Sequence, residues 1–99
     1  VGVSHMKDVQ KEHIVIRARS LYIYKLMDTK PFHQSYTVVK PYAQYEDGEY
    51  AEFSVEIEPN NEFYGRILQM GAGLEIISPN SVRNEIAQRV HNLADLYPM

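Results

Sequence analysis

Arg17 and Arg19 stand two residues apart in one alternating segment, and Glu52, Glu56 and Glu58 recur at even spacing in another. Residues two apart on a strand share a face, so the two sets meet as cross-strand ion pairs if their strands are antiparallel neighbours. On a solvated face such pairs contribute only about 0–1 kcal/mol each, so stability alone gives them little importance. The sharper reading is a polar face that docks another subunit or an adjoining domain. The plainer one, which takes precedence, is a charged outer face that keeps a sheet soluble.

His33 follows Pro31-Phe32 in a loop, where an imidazole could bind an effector or change charge between about pH 5 and 8. A loop histidine satisfied by hydrogen bonds is the commoner arrangement. His5, His13 and His91 lie far apart, without paired helical spacing and without cysteines, so no metal site is expected. Tyr36, Tyr42, Tyr45 and Tyr50 cluster and could stack bases on a sheet platform. That chemistry needs cations nearby, whereas Glu46, Asp47 and Glu49 surround them, so packing or a protein interface is the better reading. Gly71-Ala72-Gly73 follows a helix and lacks a Gly-Lys-Ser/Thr, so it is a helix cap and turn, not a phosphate loop. No nucleophile with a neighbouring base is indicated, and Glu85 and Arg89 read as a surface i,i+4 pair. No catalytic residue and no cofactor are expected.

The chain has 99 residues, enough for one domain with a single core. Its 44% hydrophobic and 23% charged residues are ordinary for a globular protein. A formal net charge of -3 disfavours a dedicated nucleic-acid domain, whose affinity comes largely from Lys and Arg neutralising phosphates. The absence of cysteine removes disulfides and thiolate chemistry and fits a reducing compartment, with the cytoplasm as default. No apolar run approaches the roughly 18–20 residues that cross a bilayer, so no membrane partner is expected. The start at Val1 suggests a piece of a longer polypeptide.

These residues need elements to position them. Residues 1–12 lack a sustained apolar period and read as a linker, in which Ser4-His5-Met6 is taken as native. Residues 13–19 alternate, with Ile14, Ile16 and Ala18 on the buried face, and predict a first strand. Ser20 caps a short helix with an apolar set Leu21, Ile23, Tyr24 and Met27, which Lys30-Pro31 halts. Residues 35–42 predict a second strand, placed at an edge by Pro41; Tyr36/Val38 and Thr37/Val39 serve equally as its inner face. Glu46-Asp47-Gly48 turns the chain into a third strand, residues 50–58, with Ala51, Phe53, Val55 and Ile57 inward and Glu52, Ser54, Glu56 and Glu58 outward.

Pro59-Asn60-Asn61-Glu62 opens a second helix with an inner stripe of Phe63, Ile67 and Met70. Gly71 ends it in the left-handed conformation, residues 74–77 form a fourth strand, Ser78 caps, and Pro79 takes the first position of a last helix. Val82, Ile86, Val90, Leu93 and Tyr97 trace one apolar stripe along that helix, which could pack on its own sheet, the preferred reading, or against a partner. The order β-α-β-β-α-β plus a helix predicts an α+β, ferredoxin-like antiparallel sheet with strands one and three central and helices on one face.

The run Gly71-Ala72-Gly73-Leu74-Glu75-Ile76-Ile77-Ser78-Pro79-Asn80-Ser81-Val82-Arg83-Asn84-Glu85-Ile86, continuing to Leu96-Tyr97, resembles the C-terminal extension of WYL-domain transcriptional regulators, the WCX domain. Lys30-Pro31-Phe32-His33-Gln34-Ser35 is similar to that family's loop after helix one, with Tyr36 where the family often has glutamine. Val1-Gly2-Val3 resembles the last strand of a WYL domain. The resemblance implies a ferredoxin-like domain over residues 13–99 of a bacterial regulator, with helix-turn-helix and WYL domains upstream as its partners. It implies a homodimer, DNA contact only through the missing reader, and a response to a small-molecule or nucleic-acid effector.

Arg17, Arg19, His33, Glu52 and Glu56 are therefore the candidate interface or effector surface of a non-catalytic dimerisation and regulatory domain. The alternative is a stand-alone, dimeric small-molecule sensor on the same fold. An enzyme of the acylphosphatase kind ranks last, because the phosphate-cradling loop with its arginine is not evident.

Overall fold

The computed structural model describes residues 11–98. The expected linker up to residue 10, the Val1-Gly2-Val3 resemblance, Ser4-His5-Met6 and His5 lie outside the described residues.

β1 (Glu12–Ala18) buries Ile14, Ile16 and Ala18 completely, as its alternation predicts. Ser20 is extended and its Oγ accepts the Ile23 N–H at 3.1 Å, which starts α1 (Leu21–Thr29). The ring of Pro31 keeps Lys30 out of the helical region, so α1 stops there. Met27 is buried and Ile23 and Tyr24 pack on the core, while Leu21, grouped with them from the sequence, remains exposed.

β2 (Thr37–Tyr45) and β3 (Gly48–Ile57) form the expected hairpin, with Glu46-Asp47 between the paired Tyr45 and Gly48. Gly48 has φ +136°, a value that L side chains rarely adopt. β2 lies at the sheet edge, as Pro41 requires, and its register shifts twice against β3. Val38 pairs with Phe53, and the Tyr36 ring sits 5.1 Å from that of Phe53, so Tyr36/Val38 is the inner face.

Ala51, Phe53 and Val55 of β3 are fully buried against the helices. Glu52 and Ser54 point to the opposite face as expected, yet they are buried too, as is Tyr50. The expectation of an exposed acidic face therefore holds for Glu56 and Glu58 but not for these two. β3 lies between β1 and β2, whose long side chains fold over it: the Arg17 guanidinium is 4.0 Å and Lys40 Nζ 5.6 Å from the Tyr50 ring centroid.

Asn60 caps α2 (Asn61–Gln69), its Oδ1 accepting the Phe63 N–H at 2.9 Å, and Phe63, Tyr64 and Ile67 are buried. Gly71, at φ +59°, opens a single 3-10 turn leading to β4 (Leu74–Ser78). Gly73, in the same turn, is required for space and not for its backbone angle. A Cβ there would lie 2.9 Å from Ile23 Cγ1, so α1 packs directly on the glycine backbone.

Ser78 is not the helix cap predicted from sequence. It pairs with Val15 as the last residue of β4, and Pro79, extended at φ −80° and ψ 167°, makes the transition without a side-chain cap bond. The Val82 and Arg83 amides donate to the Pro79 carbonyl, and α3 runs Asn80–Asp95, ending short of the predicted Tyr97.

The sheet order is β2-β3-β1-β4 with every neighbouring pair antiparallel, the ferredoxin-like arrangement with β1 and β3 central. Residues of α1, α2 and the start of α3 join the inner faces of β1, β3 and β4 in one core. No helix among the described residues is long and apolar enough to cross a membrane.

Candidate functional site

The β1–β3 register sets Arg17 opposite Glu52 and His13 opposite Glu56 on the sheet face away from the helices. Arg17 Nε and Nη2 both donate to Glu52 Oε2, at 2.9 and 2.7 Å. The two side chains are 18% and 9% exposed, so this is a largely desolvated pair, not the solvated one expected. Burial alone would lower the Arg17 pKa, but the Glu52 hydrogen bonds and charge outweigh it and the value is raised.

Tyr50 completes the cluster. Its hydroxyl donates to Asp47 Oδ1 at 2.6 Å, which holds the Asp47 carboxyl below its usual range and raises Tyr50. Tyr45 lies beside it with ring centroids 4.9 Å apart, and Lys40 Nζ stands 5.2 Å from the Tyr45 ring.

Arg19 does not neighbour Glu52 or Glu56. The last β1 residue, Ala18, pairs with Leu74, so Arg19 reaches diagonally to Glu75 of β4, with Nη1 2.8 Å from Oε1. Arg83 of α3 approaches Glu75 at 3.4 Å and donates to the Ile76 carbonyl at 2.8 Å. Glu56 is exposed and 3.6 Å from His13, and Glu58 lies beyond β3.

His33 sits at the end of the sheet. The Ser35 backbone N–H donates to His33 Nδ1 at 3.1 Å; Ser35 Oγ lies 2.9 Å from the same nitrogen and accepts the Glu56 N–H at 2.8 Å. A backbone amide can only donate, so Nδ1 is an acceptor and Nε2 carries the proton of the neutral ring. His33 thus ties the loop to β3, and a cavity of about 270 Å³ opens beside it, walled by Phe32, Phe63, Arg66 and Glu62.

Of the five candidates, the fold brings Arg17 onto Glu52 and links His33 to Glu56 through Ser35, and it turns Arg19 elsewhere. Tyr50, Asp47, Glu75 and Arg83 join them, although the sequence reading assigned them no part in this surface. For Tyr50 and Glu75 the signal was the strand register, which only the paired sheet supplies, whereas Asp47 in the β2–β3 turn and Arg83 on α3 reach this surface through tertiary contacts.

The apolar stripe of α3 divides in two. Val82 is buried and Ile86 packs on the core, whereas Val90 and Leu93 are each 49% exposed, and Leu96 and Tyr97 beyond them 69% and 73%. The 16-residue helix is about 24 Å long and the five-residue β4 that it packs on about 17 Å, and the helix is most exposed over its C-terminal turns. A groove of about 490 Å³ runs along this face, lined by Ile67, Leu68, Leu74, Ile86, Val90 and Leu93, with Glu75 and Arg83 at one side. Arg89 anchors the helix from the other side, bonding Glu85 and Asn61 and covering the Tyr64 ring at 4.4 Å.

The model of the WCX domain family matches residues 11–94. No curated protein and no solved structure matches the chain.

Proposed function

The chain belongs to the WCX domain family, a regulatory type of domain associated with WYL regulators, and on that premise we propose that it is the non-catalytic dimerisation and effector-response module of a WYL-type transcriptional regulator. Its partners would be upstream WYL and helix-turn-helix domains of the same polypeptide and a second copy of itself, in the cytoplasm. DNA would be met only through the upstream reader. The module works by position: it holds a partner surface in one geometry, and an effector acts by preferring one arrangement of the DNA readers over another.

The observation that carries this reading is the uncovered apolar end of α3, continuous with the buried Val82 and the partly buried Ile86. Sedimentation equilibrium of the chain should detect a reversible two-copy species. A single-copy species at every concentration argues against the dimerisation role.

The 490 Å³ groove favours the second reading, a small-molecule-binding dimeric sensor, because it falls within the ordinary size range of ligand pockets, about 300–1,000 Å³. A thermal-shift screen should then find one metabolite class that raises the unfolding midpoint, and no such class if the groove only seats protein.

A further inference from the structure

We infer that the groove between α2, β4 and α3 takes a linear acyl carboxylate, its chain lying along α3 and its head on the Arg83 guanidinium. This rests on the small-molecule reading above and names the ligand class.

The lining sets the body of the ligand. Among the described residues, Glu75 and Arg83 are the only charged side chains on the groove wall, and the rest of it is aliphatic or glycine. On α3, Ile86, Ala87, Val90 and Leu93 recur at helical spacing from Arg83, so they form one apolar face with the arginine at one end. Arg83 and Leu93 are ten residues apart, about 15 Å along the helix axis. An extended hydrocarbon of roughly ten to twelve carbons, with C–C bonds of about 1.5 Å in zigzag, has that length.

The charges set the head. Glu75 faces two arginines: Oε1 accepts from Arg19 Nη1 at 2.8 Å, and Oε2 lies 3.4 Å from Arg83 Nη1. Two guanidinium groups against one carboxylate leave one positive charge in excess beside an otherwise uncharged groove. Arg83 Nη1 also donates to the Ile76 carbonyl at 2.8 Å, whereas its Nε and Nη2 have no hydrogen-bond acceptor among the described residues. The Arg83 side chain is 48% exposed, so a ligand can reach those two donors.

Nε and Nη2 form one edge of the planar guanidinium, which a carboxylate meets with two parallel hydrogen bonds. A monoanion matches the single charge in excess. A phosphate monoester, at about −1.5 to −2 near pH 7, exceeds it. An ammonium head would meet a Glu75 already neutralised by Arg19.

The test titrates decanoate, decanol and decyltrimethylammonium, each below its micelle or solubility limit, into the isotope-labelled chain and follows the backbone amides by NMR. Decanoate should shift the Leu74, Ala87 and Val90 amides saturably and bind about tenfold tighter than decanol. R83Q should leave decanol binding unchanged, which shows the groove intact, and bring decanoate to within about twofold of it. R83K should keep part of the preference. A87W fills the groove from an exposed helix position and should abolish binding of both probes in a chain whose other amides stay folded. Equal binding of the three probes, a preference that survives R83Q, decanoate binding untouched by A87W, or no decanoate binding overturns the acyl carboxylate. A different metabolite class found by the thermal-shift screen would then leave the small-molecule reading standing, and an empty screen would overturn both.

Discussion

Arg17 and Glu52 form an ion pair across the two central strands in which two guanidinium nitrogens share one carboxylate oxygen, above a tyrosine ring that packs against the guanidinium. Removing one partner strands the other charge in a site that has lost most of its water. Arg17→Ala or Glu52→Ala should each destabilise the domain by about 3 kcal/mol, the low end for buried pairs because Arg17 keeps some solvent contact. The double variant R17M/E52L should recover most of that loss. Urea unfolding of the four proteins measures both effects, and single variants within about 0.5 kcal/mol of the parent would show the pair to be solvated after all.

Gly73→Ala forces a methyl group against Ile23 and should destabilise by about 1–3 kcal/mol. The same change made in an Ile23→Ala background should be markedly less harmful, since the two sites are coupled by direct contact. Gly71→Ala strains the backbone at φ +59° with no neighbour in its way, so its loss of about 1 kcal/mol should be the same in both backgrounds.

The Tyr36 hydroxyl is buried without a hydrogen-bond partner among the described residues. Tyr36→Phe should therefore leave stability unchanged or raise it by up to about 1 kcal/mol. Burial first, and the nearby Asp28 second, push the Tyr36 pKa up, so the folded state holds a phenolic proton that the unfolded chain releases at about pH 10. The contribution is thus fully present below about pH 10 and is lost as pH rises further. Thermal unfolding above that pH should fall less steeply in the Phe variant; parallel curves would contradict this assignment.

Ser35→Ala removes the oxygen that accepts the Glu56 amide and bridges it to His33. A loss of about 1 kcal/mol is expected, together with faster hydrogen exchange at the Glu56 amide, which is then open to water. Unchanged exchange at Glu56 would mean that the bridge does not hold the loop to β3.

Local chemistry was enough to read much of this domain. The alternation of Ile14, Ile16 and Ala18, the caps at Ser20 and Asn60, and the left-handed Gly71 act within one turn or one strand, so their neighbours in sequence determine them. Together they determined the element order, and that order leaves few ways to pair four strands, hence the ferredoxin-like sheet. The Arg17–Glu52 contact was legible for the same reason, as a consequence of parity on two antiparallel strands.

Tertiary structure decided how deep each face lies and which neighbour each charge meets. Glu52 is buried because Arg17 folds over it and β3 is flanked on both sides, and alternation says nothing about the side chains of adjacent strands. Arg19 turned to Glu75 because the β1–β4 register, a long-range quantity, set Ala18 beside Leu74. Along the last helix the sequence determined an apolar stripe reaching to Tyr97, but only the packing of α3 decided that Val82 would enter the core, that Leu93 would stay half exposed and that the helix would end at Asp95, before Tyr97. Periodicity records which way a side chain points; what it meets depends on elements distant in the chain.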